Sequence, residues 1–247
     1  MQKIIESVRV LRQSLAGVAL LFGSSQRLKG RNILAACRGQ RCWALPSIVR
    51  VGAAVVCVVA TIAASSQDAW ANRPLSERLI DDTLVAQIRG YLHSPIVTAM
   101  VSGSNLTRST LSDDDIIALD KAWRAEREAD AKPLIARALS NPLSAYLTRI
   151  QANSVGLVTE IIVVGVKGLN VGQSAVTSDM WQGDEAKFQR TFLVAPDAIF
   201  IDAAEFHEGS KTWRAQVNLT IADPETGAAI GAATFEINLT ELNRRRS

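Results

Sequence analysis

With 247 residues, 48% of them apolar, the chain can bury one good-sized core but not clearly two. Its net charge of +3 conceals a segregation: residues 1–71 carry nine Lys/Arg against Glu6 and Asp68, whereas residues 72–247 carry 18 against 22 Asp/Glu. The basic end and the acidic remainder are therefore different objects, and no nucleic-acid partner is expected.

The junction between them reads as a secretory leader. Arg50 precedes an apolar run over about 51–64, which is too short to span a bilayer comfortably. A polar stretch, Ser65 to Asp68, leads to Ala69-Trp70-Ala71, with small residues where signal peptidase needs them. Cleavage after Ala71 is expected, with an uncleaved N-terminal anchor as the alternative. A basic extension of this length before a leader is unusual, and translation starting near Val49 would yield an ordinary one. Cys37, Cys42 and Cys57 all precede the cut, so the chain from Asn72 onward has no disulfide, no thiolate nucleophile and no cysteine metal site.

Residues 75–152 read as helical. Ile80, Leu84, Ile88, Tyr91 and Leu92 recur at helical spacing. Ser94-Pro95 looks like a cap with proline at the first helical position, a helix running through Met100 and broken by Ser102-Gly103-Ser104-Asn105. Ser112 followed by Asp113, Asp114 and Asp115 is a strong helix start, a hydroxyl cap with carboxylates at the positive end of the dipole; that helix should run to about Asp130. Pro133 and Pro142 open two more short helices.

From Val155 the period changes. Residues 157–166 are apolar on both faces, as in a central strand, and 172–177 form a shorter neighbour across the turn 167–170. Residues 184–192 read as a helix and Ile199–Ile201 as a third strand. Residues 212–222 alternate, with Trp213, Ala215, Val217, Leu219 and Ile221 on one face and Arg214, Gln216, Asn218 and Thr220 on the other, the solvent face by default. Asp223–Gly227 is a hairpin turn returning into 228–239, with Phe235, Ile237 and Leu239 apolar. This is an α+β fold: N-terminal helices followed by a mostly antiparallel sheet of about five strands, forming a single domain over 72–247.

The stretch 155–188, a buried strand, a tight turn, a second strand and the loop Ser178-Asp179-Met180-Trp181-Gln182-Gly183-Asp184-Glu185, resembles the extracytoplasmic sensor modules called Cache or PDC domains, which are PAS-like. In that family a glycine turn and strand lead into a Ser-Asp-Tyr-Tyr-x-Gly-Asp-Glu loop. The closing hairpin, Ile221-Ala222-Asp223-Pro224-Glu225-Thr226-Gly227 through Ile230-Gly231, is similar to the family's ending, and the resemblance covers roughly 75–243. Two departures stand out. Met180-Trp181 replaces the paired tyrosines, and the sequence stops at Arg244-Arg245-Arg246-Ser247, where family receptors continue into a transmembrane helix and signalling domain.

The resemblance implies a periplasmic, stand-alone module that binds a small polar ligand (an amino acid, an amine or an organic acid) and reports through a membrane-bound receptor or kinase. The candidate ligand residues are Asp179, Trp181 and Asp184 in the loop, Asp202 after the third strand, and Arg214 on the alternating strand. An indole can cover a ligand, carboxylates can take an amine, and a guanidinium can fork onto a carboxylate. The blander reading makes Trp181 a plug, Asp184 a helix cap and Asp202 a turn residue. A polar cavity under Trp181 would favour sensing; a solid apolar core there would favour an interaction or structural protein.

No cofactor is expected. His93 and His207 stand far apart, and neither a nucleophile elbow nor a phosphate loop is present. A periplasmic hydrolase using Asp179, Asp184 or Asp202 with His207 is the enzymatic alternative, and it lacks any recognisable nucleophile–base spacing. The arginines at the C-terminus read as a solvated tail that could touch anionic lipid or a partner.

Overall fold

A computed structural model describes residues 74–247 of the chain; the basic extension, the apolar run 51–64, the three cysteines and the Ala71 cut lie outside the described residues. After a short 3₁₀ turn, Glu77–Leu79, come five helices: α1 (Asp82–Leu92), α2 (Pro95–Arg108), α3 (Asp113–Glu128), α4 (Pro133–Leu139) and α5 (Pro142–Asn153). Next are β1 (Val158–Gly165), β2 (Asn170–Gln173), α6 (Ala186–Gln189), β3 (Ile199–Ile201), β4 (Glu205–His207), β5 (Thr212–Ala222), β6 (Ala229–Asn238) and α7 (Leu239–Arg246). Every strand pairing is antiparallel, in the order β2-β1-β6-β5-β3, and β4 shares the outer edge of β5 with β3. The α+β expectation holds, with six strands rather than five.

Local chemistry explains the helix starts. Asp81 caps α1 by accepting from Leu84 N at 2.9 Å. Ser112 and Asp115 form a reciprocal capping box on α3, and proline opens α2, α4 and α5. Ser94 sits at the cap position of α2, but its side chain makes no capping bond.

The expected break at 102–105 is absent: α2 continues to Arg108. Asn105 is held by the sheet, donating through Nδ2 to Ile230 O at 2.7 Å and accepting from Val166 N at 3.0 Å. Those long-range bonds override the weak helix propensity of a Ser-Gly-Ser-Asn run.

The inner face of the sheet packs against α1, α2 and α5. Ile161, Val163, Val217, Leu219, Phe235 and Ile237 on the strands meet Ile88, Val97, Val101, Leu143 and Leu147 on the helices, all buried. Trp213, expected in this core, is only half-buried and tilts against Phe206 with centroids 5.4 Å apart.

Four further expectations are corrected. The second strand covers 170–173, not 172–177, because Ser174 ends it, its Oγ accepting from Ile161 N at 2.8 Å in place of a ladder bond. The helix expected over 184–192 is reduced to Ala186–Gln189. Phe188 is buried beneath Ile162, Val164 and Ala232 and stacks on Phe192 at 5.0 Å, drawing the chain off the helical path.

The polar face of β5 is not wholly solvated: Asn218 and Thr220 are buried, and Asn218 bonds Phe200 O at 3.1 Å and Thr234 Oγ1 at 2.7 Å. The arginine-rich end is a helix rather than a solvated tail. Leu239 and Leu242 are buried, Glu241 binds Arg244 and Arg245, and Arg246 meets Asp81 at 2.6 Å. Among the described residues no helix is long and apolar enough to cross a membrane.

Candidate functional site

The outer face of the sheet collects charge. Strand register places Glu160 on β1 opposite Glu236 on β6, and Glu236 opposite Gln216 on β5. Asp202 continues that rung, its N–H donating to Gln216 O at 2.9 Å. Arg214, two residues before Gln216 on the same face, reaches Glu236 Oε2 at 2.7 Å and Ser210 Oγ at 2.9 Å. Thr159 also donates to Glu236.

These side chains border a cleft of about 240 Å³ lined by Glu185, Asp202, Glu205, Arg214, Gln216 and Glu236. Its floor is sheet; its rim is the segment leading into α6 and the corner where β3 gives way to β4. Four carboxylates and one guanidinium line it, so the cleft is suited to a cationic group. Among the described residues no group of His, Cys, Asp or Glu is arranged to hold a metal ion. Glu160, behind the cleft, has its carboxyl pushed above the usual range, first by burial and then by Glu236.

The five residues expected from sequence do not form one cluster. Asp202 and Arg214 share the cleft. Asp184 is exposed, and among the described residues its side chain has no hydrogen-bond partner. Asp179 and Trp181 belong to the loop alongside α3. There Asp120 accepts from Met180 N at 2.9 Å and Trp181 N at 3.2 Å, and Arg124 bridges Asp120 and Asp179.

Trp181 packs against an apolar cluster of Ile116, Trp123, Ile135, Leu169 and Met180, and its indole donates to Lys167 O at 3.0 Å. Gly168, at φ +73°, and Gly183 allow this turn; a Cβ on Gly183 would lie 2.4 Å from the indole nitrogen. What lies against Trp181 is thus apolar packing, the outcome expected of an interaction or structural protein and not of a ligand lid, so Trp181 does not cover a ligand site.

The loop nevertheless touches the cleft's rim through a relay. Asp179 accepts from Gln182, Gln182 Oε1 accepts from Lys187 at 2.9 Å, and Lys187 pairs with Glu185 at 3.0 Å. Sequence reasoning missed Glu160, Glu185, Glu205, Glu236 and Lys187. Glu160 was the legible one: a lone carboxylate inside an apolar strand has to be neutralised, paired or used. The others became meaningful only once strand register set them side by side. His207 bonds Ser210, with Nδ1 to Oγ at 2.9 Å, and does not line the cleft.

The architecture belongs to the broad class of helix-backed antiparallel sheets with a polar outer cleft. No family model matches the chain, and no curated protein does. Solved structures to which it is similar include sensory and ligand-binding domains of chemoreceptors and a histidine kinase. The sensory domain of the Campylobacter jejuni chemoreceptor Tlp3 is 12% identical, with a TM-score of 0.34, covering 60% of this chain and 61% of that one. The ligand-binding domain of the Pseudomonas aeruginosa amino acid chemoreceptor PctC, in complex with GABA, is 14% identical, with a TM-score of 0.28, covering 53% and 58%. The V. cholerae histidine kinase DctB sensor domain is 10% identical, with a TM-score of 0.31, covering 66% and 58%. The chain thus spans about three fifths of the length of each. Superpositions this loose carry nothing about individual residues or ligands.

Proposed function

We propose that the chain is a non-catalytic, extracytoplasmic binding module whose outer-face cleft takes a small amine-bearing ligand, an amino acid or a simple amine. In this reading Asp202, Glu205 and Glu236 face the ammonium group, and Arg214 meets a carboxylate where the ligand has one. Asp179 and Trp181 act behind the site: Asp179 holds Gln182 and through it Lys187, and Trp181 anchors the loop to α3. Export follows cleavage after Ala71, and a separate membrane-bound receptor or kinase reads the occupied state. The observation that carries the reading is the surplus of carboxylates around a partly buried arginine in one cleft.

A thermal-shift series on the full chain with amines, amino acids and organic acids tests it, because a ligand that binds the native state raises the melting temperature by mass action. Amines and amino acids should raise it and Asp202→Asn should abolish the shift. A response to organic acids alone, or a shift unaffected by Asp202→Asn and Arg214→Met, would show that the cleft is not the site.

A further inference from the structure

A second cavity lies between α2, α4 and β2. Its volume is about 270 Å³, near the small end of ligand pockets. Two helical stripes face each other across it. Met100, Ser104 and Arg108 come from α2 at steps of four, with Thr107 beside Arg108; Leu134 and Arg137 come from α4. Small residues at Ala99, Gly103 and Ala138 keep the two helices from filling the gap.

Its charge is opposite to that of the outer cleft. Arg108 and Arg137 both line it, and no carboxylate does. Among the described residues neither arginine takes part in a salt bridge. Arg108 is half-buried and donates through Nη1 to Asn170 O at 2.8 Å, and among the described residues its remaining N–H groups have no partner. Burial lowers its pKa from the ordinary arginine value, the direction expected of a cation held without a counter-charge. Arg137, which also lines the cavity, is exposed, and among the described residues its side chain has no hydrogen-bond partner. Met100, Leu134, Val171 and Met180 give the walls an apolar character that a bare inorganic anion would not use.

We propose that this cavity is a second ligand site, selective for a small carboxylate with a compact apolar body, the carboxylate forked between Arg108 and Arg137. Ser104 adds a hydroxyl donor beside it, whereas the Thr107 hydroxyl already donates to Ser104 O at 3.0 Å. The site is independent of the amine cleft and stands whether or not that cleft binds anything. Because Met180 forms one wall and its neighbour Trp181 anchors the loop, occupancy would stiffen the segment 178–184.

Calorimetric titration of the full chain with benzoate and hexanoate, against benzamide and inorganic phosphate, tests the site. Benzoate or hexanoate should bind at millimolar concentration or better, with benzamide at least roughly tenfold weaker, the loss of one charge-assisted interaction. Arg137→Met, at an exposed position that leaves the fold untouched, should weaken carboxylate binding by roughly tenfold or more. Arg108→Met should weaken it further, and Arg137→Met alone decides the matter if that variant does not fold. Binding of neither carboxylate, equal binding of benzamide, or phosphate binding in place of benzoate overturns the assignment. So does full affinity in Arg137→Met, or loss of binding in Arg214→Met, which would move the carboxylate to the outer cleft.

Discussion

Arg214 on β5 and Glu236 on β6 meet at 2.7 Å across the sheet, each with about a fifth of its side chain exposed. Glu236 also stands opposite Glu160 on β1, so two carboxylates share a rung, offset at Glu160 by Lys187 and then by Arg214.

Removing the cation should expose the repulsion. Arg214→Met is expected to lower stability by about 1–2 kcal/mol, between the values for exposed and fully buried ion pairs. The double variant Arg214→Met/Glu236→Gln should recover most of the loss. Urea denaturation of the parent and both variants measures this directly, and a single variant as stable as the parent would show that the pair is energetically idle.

Glu160 should make stability depend on pH in a defined direction. Its folded-state pKa is raised above the ordinary carboxyl value of 4.5. Ionising it therefore costs the folded state stability, and that cost sets in as pH rises from 4.5 through the raised value. Glu160→Gln should melt higher than the parent at pH 7, and the difference should shrink to nothing by about pH 4. Melting curves across that range check it; a gap that widens on acidification would reverse the assignment.

The core face of β5 permits a sharper test. Val217 is fully buried, between Ile201 on β3 and Phe235 on β6 in register. Val217→Asp would bury an unpaired charge and should cost about 4 kcal/mol or more, among the largest single-residue effects. A variant melting like its parent would contradict the strand.

Gly183 is a steric test of the loop. A methyl group there would meet the Trp181 indole nitrogen at 2.4 Å. Gly183→Ala should displace the ring, break its bond to Lys167 O and cost about 1–3 kcal/mol, with a change in tryptophan fluorescence. Unaltered emission and stability would mean the indole is free to move.

The N-terminal expectation has its own measurement. Intact mass of the exported protein should place its first residue at Asn72; a start before residue 60 would rule out cleavage after Ala71.

Local signals sufficed for what is local. The Ser112 capping box, the prolines opening α2, α4 and α5, the β5–β6 hairpin and its Asp223–Gly227 turn are written in short-range chemistry and in period, so the α+β plan was legible. Short-range chemistry misled where distant contacts won. Asn105 pins α2 through a run that should break it, and Phe188, tucked under β1, cuts short the helix expected over 184–192.

The sites followed the same division. Asp202 and Arg214 could be named from sequence because each is a charged residue at a strand or its edge. That they share a cleft with Glu205 and Glu236, apart from Asp179 and Trp181, depended on register, which couples residues far apart in the chain. The cavity between Arg108 and Arg137 was invisible for the same reason. Two arginines on separate helices become one electrostatic feature only when packing turns their faces toward each other.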